Sequence, residues 1–483
     1  MSSFAQETTG YQFQVSKEKL MDLKGTNNTV EVTDALYRTG SDEDQMGKWS
    51  LLMAFYGIAS AMFMLYIGAA MAVAYGTVNA IIGIVLTIIT YSLINRVLAK
   101  HSINNRTTVA RFSRTILGKA GTIIASVILA LTAIYYAVFE GAIVVYAFQA
   151  AFGGEHWIWS LVVVAYSTPL ILGGVRRFLD KLNGWLLPLY LLGLVVMVVW
   201  AGVKFGFTDA WLTQTPGELP LAAGGPGWLA TFAAYLGVWV LLMYTMDYAA
   251  LGKRQDTRFH TKYTFTWPFW TLTYGVNALV GIFLTFTIPG LQVSESGLSG
   301  GLVALMGPIG LVLVLVFQTR INTANYFIGA ANLQEFGERL FRVKLPAAFW
   351  VIVSSVIIYL LMLLPVIQYL LLALAWQGVL VSGWVSIALT HILLNRTRKE
   401  EHGLLGDEHY KQVHYPGLIA WVAATVVGIF LTSAFPWGAT WGPIATVVVA
   451  SGLYTGLRGA FRQHSALHLE TKAGTTRALT EAG

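Results

Sequence analysis

The chain has 483 residues, of which 56% are hydrophobic and only 11% are charged, and its net charge is +7. Soluble domains carry about 25% charged residues, so this composition excludes a water-soluble globular protein. The absence of cysteine excludes disulfides, thiolate metal sites and a cysteine nucleophile, and it gives no indication of the cellular compartment.

The chain begins with a polar segment, residues 1–46, in which the first residues lack the pattern of a cleavable signal. It ends with a second polar segment, residues 461–483, and both are predicted to be tails without a folded domain. A membrane-spanning helix needs about 20 mostly apolar residues. The sequence between the tails predicts twelve such spans, near 50–76, 78–98, 119–150, 157–174, 184–204, 228–251, 262–288, 301–330, 346–364, 366–393, 416–434 and 438–459.

The basic residues sort to one side of this arrangement. The loops after spans two, four, six, eight and ten, with the span ends beside them, hold 20 Lys and Arg residues, whereas the alternate loops and span ends hold only Lys204. Because Lys and Arg mark the cytoplasmic side, both tails are predicted to be cytoplasmic, and the positive charge indicates orientation rather than nucleic-acid binding. The basic amphipathic segment 106–117 is predicted to lie at the membrane interface without crossing.

Spans one and six each contain a glycine near the middle, Gly57 in the first and Gly237 in the second. Glycine-interrupted helices in matching positions of two halves indicate an inverted-repeat transporter. Close packing of helices is the alternative explanation, since glycine is common in membrane helices for that reason.

Three ionisable side chains lie well inside the predicted spans: Glu140, Asp247 and Arg320. A charge at the bilayer centre costs about 3 kcal/mol, so each is predicted to face the protein interior or a cavity. Asp247 has a simpler alternative role, pairing with Lys253 or Arg254. Arg320 could likewise be the ion-pair partner of Glu140 or Asp247.

Span eight contains FQTRINTAN, residues 317–325, with six polar side chains among its last eight residues. Gln318, Asn322 and Asn325 fall on one helical face, and Thr319 and Arg320 lie beside it. Carboxamides both donate and accept hydrogen bonds, which suits a planar ligand with several polar edges. Bonds between helices, worth about 0.6 kcal/mol each, are the alternative use of such side chains.

Aromatic side chains on two other spans point to the same kind of ligand. Span three places Tyr136 and Glu140 on one face, and span six places Tyr235 and Trp239 one turn apart beside its glycine. Aromatic faces stack on flat heterocycles for about 1–3 kcal/mol each. Tyr and Trp are also common at membrane interfaces, so their combination with the carboxamides carries the prediction.

In four segments the chain resembles the nucleobase–cation symporter family, the permeases for cytosine, purines, allantoin, hydantoins and related vitamins. The segments are GKWSLLMAFYGIASAMFMLYIG, TAIYYAVFEG, MDYAALG and TRINTANYF, in spans one, three, six and eight. The resemblance covers roughly residues 45–460 and implies an all-α integral membrane protein with twelve transmembrane helices. The implied fold is a LeuT-type five-plus-five inverted repeat, with residues 47–205 and 228–394 as the repeats and 416–460 as two extra helices.

The resemblance also implies a substrate site. The family stacks its substrate between an aromatic on span three, here Tyr136, and one near the break of span six, where this chain has Val238 beside Trp239. The family asparagine that reads the substrate matches Asn325. A family glutamine on span three is replaced by Ala133, so the sequence does not specify which planar compound is transported.

For sodium, the family uses backbone carbonyls at the break of span one and two hydroxyls on span eight. Gly57 and Ser60 match the carbonyl positions and Thr319 matches one hydroxyl, but the second hydroxyl position is Arg320. A guanidinium carries five donors and a permanent charge, so it cannot coordinate a cation. We therefore predict that Arg320 takes the place of the sodium ion.

Transport would then be coupled to protons or to no ion. Glu140 is the candidate proton carrier, because a desolvated carboxylate can titrate within the physiological range, and Asp247 is the second candidate. Span six also departs from the family, whose Pro-Asp-Phe-Thr-Arg pattern is here Met-Asp-Tyr-Ala-Ala at 246–250.

Taken together, the sequence predicts a secondary active transporter of a small planar heterocycle, a nucleobase or related compound, in the bacterial inner membrane. It predicts no enzymatic activity, no cofactor and no metal, with the substrate and the lipid bilayer as partners of a monomer.

One alternative is a sodium-coupled symporter of the same fold for a hydantoin, allantoin, a vitamin or an amino-acid-like solute. Another is an intramembrane serine hydrolase, since residues 297–301 fit G-x-S-x-G around Ser299. That motif needs a strand-to-helix turn, and His391, the only histidine inside a span, is predicted on the opposite membrane side.

Overall fold

The computed structural model describes residues 45–172, 175–216, 224–364, 370–395 and 410–461. Within these ranges the protein is helical, and the only β-type pairing is an isolated bridge between Met46 and Gly252. The two predicted tails lie almost wholly outside the described residues.

The described helices follow the predicted spans closely. In chain order, spans one to six are Lys48–Tyr56 with Phe63–Tyr75, Thr77–Asn105, Lys119–Phe152, His156–Leu172, Val175–Phe205, and Gly227–Leu236 with Val240–Ala249. Spans seven to twelve are Arg254–Thr287 (a run of short α, 3-10 and π segments ending in Asn277–Thr287), Pro308–Phe341, Ala347–Met362, Leu370–Leu394, Tyr415–Ala434 and Gly438–Ala460.

Seven of the described helices are individually long and apolar enough to cross a membrane, and two bent pairs bring the number to nine. Spans four and nine are shorter apolar helices, and span twelve is the 23-residue helix Gly438–Ala460. Together with the nine, these three helices are consistent with the twelve predicted spans. The first pair, Lys48–Ser60 with Phe63–Tyr75, bends by 45°, and the second, Gly227–Leu236 with Val240–Ala249, bends by 44°. Both bends lie within a few residues of the predicted glycines, which confirms that spans one and six are interrupted.

Two segments differ from the prediction. Span eight begins at Pro308 rather than near residue 301, because Gly307, with φ of +58°, ends a separate short helix, Glu295–Met306. Proline at the first position of a helix and glycine just after one are favoured boundaries. Segment 106–117 forms the nine-residue helix Val109–Leu117, too short to cross, and seven of its residues are buried against neighbouring helices instead of lying at an exposed interface.

Close helix contacts position the interrupted spans. The second half of span one packs on span seven through small residues, since a Cβ on Gly281 would lie 2.1 Å from the Leu65 carbonyl oxygen. Span eight packs along span three, and spans eleven and twelve pack on each other and on span ten. Spans one, three, six, eight and ten therefore converge around the two breaks.

Candidate functional site

The first half of span one ends at Tyr56, and its terminal carbonyl receives a charged partner from span eight. Arg320 Nη2 donates to the Tyr56 carbonyl oxygen at 3.1 Å. The guanidinium also lies over the ring of Tyr190 on span five, with 5.1 Å from its carbon to the ring centroid. Arg320 is fully buried, and its Nε and Nη1 have no hydrogen-bond partner among the described residues.

The next carbonyls of the break have neutral partners. Ser60 Oγ lies 2.9 Å from the Gly57 oxygen and 3.0 Å from the Phe317 oxygen on span eight. The Ala59 oxygen accepts from Tyr190 Oη at 2.9 Å and from Asn277 Nδ2 of span seven at 2.7 Å. Backbone groups freed inside a bilayer need such partners, so these contacts stabilise the interruption.

The second half of span one begins at Met62 and Phe63, and its N-terminus meets an acidic partner. The backbone N–H groups of both residues face the Glu140 carboxylate on span three. Gln318 joins the two elements, since its Oε1 accepts from Met62 N at 3.4 Å and its Nε2 donates to Glu140 Oε2 at 2.6 Å. A carboxylate is favoured at a helix N-terminus by the helix dipole.

Neither of these two buried ionisable side chains, Arg320 and Glu140, has an oppositely charged partner in the described part of the chain. No salt bridge joins Arg320 to Glu140 or to Asp247, so the alternative reading of Arg320 as an ion-pair partner is not realised. The two side chains instead serve opposite ends of the same break. The guanidinium lies at the C-terminal end of the first half-helix, and the carboxylate lies at the N-terminal end of the second.

The break of span six is held by neutral side chains. Gln377 Nε2 of span ten donates to the Gly237 carbonyl at 2.9 Å and to Tyr136 Oη at 3.0 Å. Tyr91 Oη of span two donates to the Tyr235 carbonyl at 2.5 Å. The Tyr136 ring also contacts Phe63, with centroids 5.7 Å apart, so it lies between the two breaks.

Several predicted ligand-binding residues are buried with polar atoms unused. Val238 and Trp239 lie at the break of span six, and Asn322 and Asn325 lie on span eight. The Trp239 Nε1, the Tyr235 hydroxyl, both polar atoms of Asn322 and the Asn325 Nδ2 lack partners among the described residues. A buried polar group without a hydrogen bond costs about 1–3 kcal/mol, which a polar ligand or water would relieve.

Two predicted residues lie elsewhere. Thr319 is half-buried beside the Tyr166 hydroxyl of span four, on a different side of span eight from Arg320. Asp247 accepts from the backbone N–H of Val109 at 2.8 Å, so it caps the short helix after span two. That contact accounts for its burial without pairing to Lys253.

The serine motif is placed away from any strand. The predicted spans leave residues 289–300 as a loop, but Ser299 lies fully buried within helix Glu295–Met306. His391 Nδ1 lies 2.6 Å from the Tyr454 hydroxyl, so this histidine serves the contact between spans ten and twelve.

Sequence reasoning missed Tyr190, Asn277 and Gln377, which bind the break carbonyls. Tyr190 stands alone among apolar residues in its predicted span, and that isolation is a signal available in the sequence. Asn277 and Gln377 have other polar residues nearby in their spans, so the sequence does not single them out.

The chain was compared with known proteins by sequence and by structure. No protein-family model matches it, and no curated protein matches it by sequence. Solved structures do match. Mhp1, a nucleobase-cation-symport-1 family transporter in a closed conformation with bromovinylhydantoin bound, superposes with a TM-score of 0.69 at 16% identity, covering 93% of this chain and 98% of Mhp1.

Two other transporters share the architecture. A Na⁺-coupled sialic acid symporter matches with a TM-score of 0.57 at 10% identity, covering 89% of this chain and 92% of its own. MhsT in complex with L-phenylalanine matches with a TM-score of 0.52 at 14% identity, covering 84% of this chain and 99% of its own. The protein has a LeuT-type fold. These neighbours are membrane transporters rather than enzymes, which agrees with the non-enzymatic prediction and confirms the predicted fold class.

Proposed function

We propose that the protein is a sodium-independent secondary transporter of a small, neutral, planar heterocycle, a nucleobase or a related ring. The observation that carries the proposal is the bond from Arg320 Nη2 to the Tyr56 carbonyl at the break of span one. In transporters of this architecture, unwound carbonyls and half-helix C-terminal ends hold the coupling ion.

A sodium ion at that carbonyl would have to share it with a guanidinium. Two unit charges of the same sign 4 Å apart repel by about 4 kcal/mol at an effective dielectric constant of 20. Sodium at a hundredfold excess over its dissociation constant would stabilise the bound state by roughly 2.7 kcal/mol, which is less than this repulsion. Sodium is therefore disfavoured while Arg320 keeps this position.

The unused polar atoms support a ligand with both donors and acceptors. Asn322 offers an N–H and a C=O, and Trp239 offers an N–H. A nucleobase or hydantoin edge alternates such groups in one plane, and its flat faces can stack on aromatic side chains at the two breaks.

The second half of span one argues against an amino-acid-like substrate. In this architecture the half-helix N-terminus faces the anionic group of the substrate. Here Gln318 already accepts from the Met62 N–H, and the Glu140 carboxyl group that Gln318 holds lies beside the same end of the half-helix. A substrate carboxylate would find these donors already engaged, so a neutral ring is the better fit.

Glu140 is the proposed proton carrier if transport is coupled. It is buried, hydrogen-bonded to Gln318 and placed at the break, so a change in its protonation would change how that half-helix is capped. Asp247 is less suited, because its contact is with the short helix after span two. The proposed setting is a bacterial inner membrane with both termini cytoplasmic.

The test is uptake of labelled hydantoin, uracil, cytosine and hypoxanthine into proteoliposomes, with sodium replaced by choline at constant ionic strength. At least one ring should enter, at a rate that choline changes less than twofold, and a protonophore should decide between proton coupling and none. Orotate, which is uracil with a carboxylate, should compete at least tenfold more weakly than uracil. A sodium requirement would contradict the assignment of Arg320, and equal competition by orotate would contradict the assignment of Glu140.

A further inference from the structure

Gln377 joins the break of span six to the aromatic side chain predicted to contact the ligand. Its Nε2 donates both to the Gly237 oxygen and to the Tyr136 hydroxyl oxygen. Nothing in the sequence motifs points to this residue. Gln377 and Tyr136 are both buried, at 9% and 6% exposure, so the bridge lies inside the helix bundle.

The position of Gln377 follows from backbone packing. A Cβ on Gly237 would lie 2.8 Å from the Leu374 carbonyl oxygen, and a Cβ on Gly378 would lie 3.2 Å from Gly237 Cα. Span ten thus rests directly on the break, with two glycines at the contact. Because Leu241 N bonds to the Val238 oxygen, the Gly237 carbonyl is left for the Gln377 amide.

This arrangement fixes the polarity of the Tyr136 hydroxyl. A carbonyl oxygen can only accept, so the Gln377 atom beside Gly237 is the amide nitrogen and not the amide oxygen. The same nitrogen lies beside Tyr136 Oη, so the hydroxyl oxygen accepts there. The phenol hydrogen of Tyr136 then has no acceptor among the described residues, and it remains available to a ligand.

We propose that Gln377 is a specificity-determining positioning residue: it holds the Tyr136 hydroxyl as a donor, so that the transported ring must present an acceptor, such as a ring carbonyl, to Tyr136. This inference rests on the proposed function, since it takes Tyr136 as part of the ligand site. It predicts a preference among rings of one shape that differ only in acceptor strength.

The experiment compares binding of oxo and thio rings to the purified full-length protein, by thermal shift and by competition. The probes are uracil against 2-thiouracil and 4-thiouracil, and hydantoin against 2-thiohydantoin, because a thiocarbonyl sulfur is a weaker acceptor than a carbonyl oxygen. A neutral hydrogen bond is worth about 0.5–1.5 kcal/mol, so a thio substitution that weakens this bond should weaken binding to wild type by up to about 10-fold.

Variants separate positioning from general damage. Y136F and Q377M should each bind the oxo and thio rings equally. The double variant should lose no more affinity for the oxo ring than either single variant does. The control is Q214M, since the side-chain bond of Gln214 goes to the nearby Ala210 oxygen and its backbone bond to Thr77 would be kept; it should keep the wild-type preference. Y136F keeps the bond from Gln377 to Gly237, so it remains informative if Q377M unfolds.

The outcomes are distinguishable. An oxo preference that survives in Y136F or in Q377M would overturn the inference while leaving the proposed function intact. The same holds if the affinity for the oxo ring falls in the double variant by the sum of the two single losses. If no heterocycle binds the wild type, the proposed function fails and the inference fails with it.

Discussion

Replacing Arg320 with serine is the sharpest perturbation of the proposed cation position. R320S removes the donor to the Tyr56 carbonyl and leaves a hydroxyl where sodium-coupled relatives are expected to have one. An unpaired buried carbonyl costs about 1–3 kcal/mol, so R320S should be less stable than wild type when sodium is absent. R320M, which is long and apolar, should lose the same bond without supplying a ligand for an ion.

Sodium should then act on the serine variant alone. A site with an affinity near 1 mM would gain about 2.7 kcal/mol at a hundredfold excess of the ion, by mass action. The expected result is therefore that about 100 mM NaCl restores most of the stability lost in R320S and leaves wild type and R320M unchanged.

The assay is thermal unfolding of the purified variants in NaCl, KCl and choline chloride at equal ionic strength. The reasoning would be refuted if wild type responded to sodium as strongly as R320S. It would also be refuted if R320S were as stable as wild type in choline, because the guanidinium would then contribute nothing at the Tyr56 carbonyl.

Two further predictions concern the contacts around the breaks. G237A should destabilise the protein by about 1–3 kcal/mol and lower uptake, because its Cβ would lie 2.8 Å from the Leu374 oxygen. The control is G452A, where nothing lies within 4 Å of the added Cβ, and unfolding and uptake are measured for both variants. E140Q should keep a hydrogen-bonding partner for Gln318 but make uptake insensitive to a protonophore. Wild-type sensitivity in E140Q would mean that the proton is carried elsewhere.

The positions of the breaks could be predicted because their cause is local. Gly57 and Gly237 are followed by small or weakly helix-forming positions in the matching spans of two halves, and the observed bends of 45° and 44° lie there. The burial of the span-eight stripe was also predictable, because helical spacing puts Gln318 and Asn322 on one face and both are buried.

The partners of those breaks could not be predicted, because each contact joins residues far apart in the chain. Tyr190 and Ala59 are separated by 131 residues, and Gln377 and Gly237 by 140. Spacing along one helix cannot say which distant carbonyl a lone polar side chain will meet. Spacing does predict that adjacent residues of one helix face different directions, because consecutive helical residues point about 100° apart. With Arg320 at the break of span one, Thr319 must therefore face a different neighbour.

The contacts at the two breaks follow the repeat, and their differences indicate a division of labour. Spans five and ten are equivalent in a five-plus-five repeat: Tyr190 of span five bonds a carbonyl at the span-one break, and Gln377 of span ten bonds one at the span-six break. Spans seven and two are likewise equivalent, and Asn277 bonds the span-one break whereas Tyr91 bonds the span-six break. Among the described residues, the span-one break alone adds an acidic and a basic side chain, with Arg320 at one end and Glu140 at the other. On the proposed function, the neutral break suits recognition of an uncharged ring and the charged break suits coupling. The face of span three that touches both breaks is then the route by which ligand and proton would affect each other.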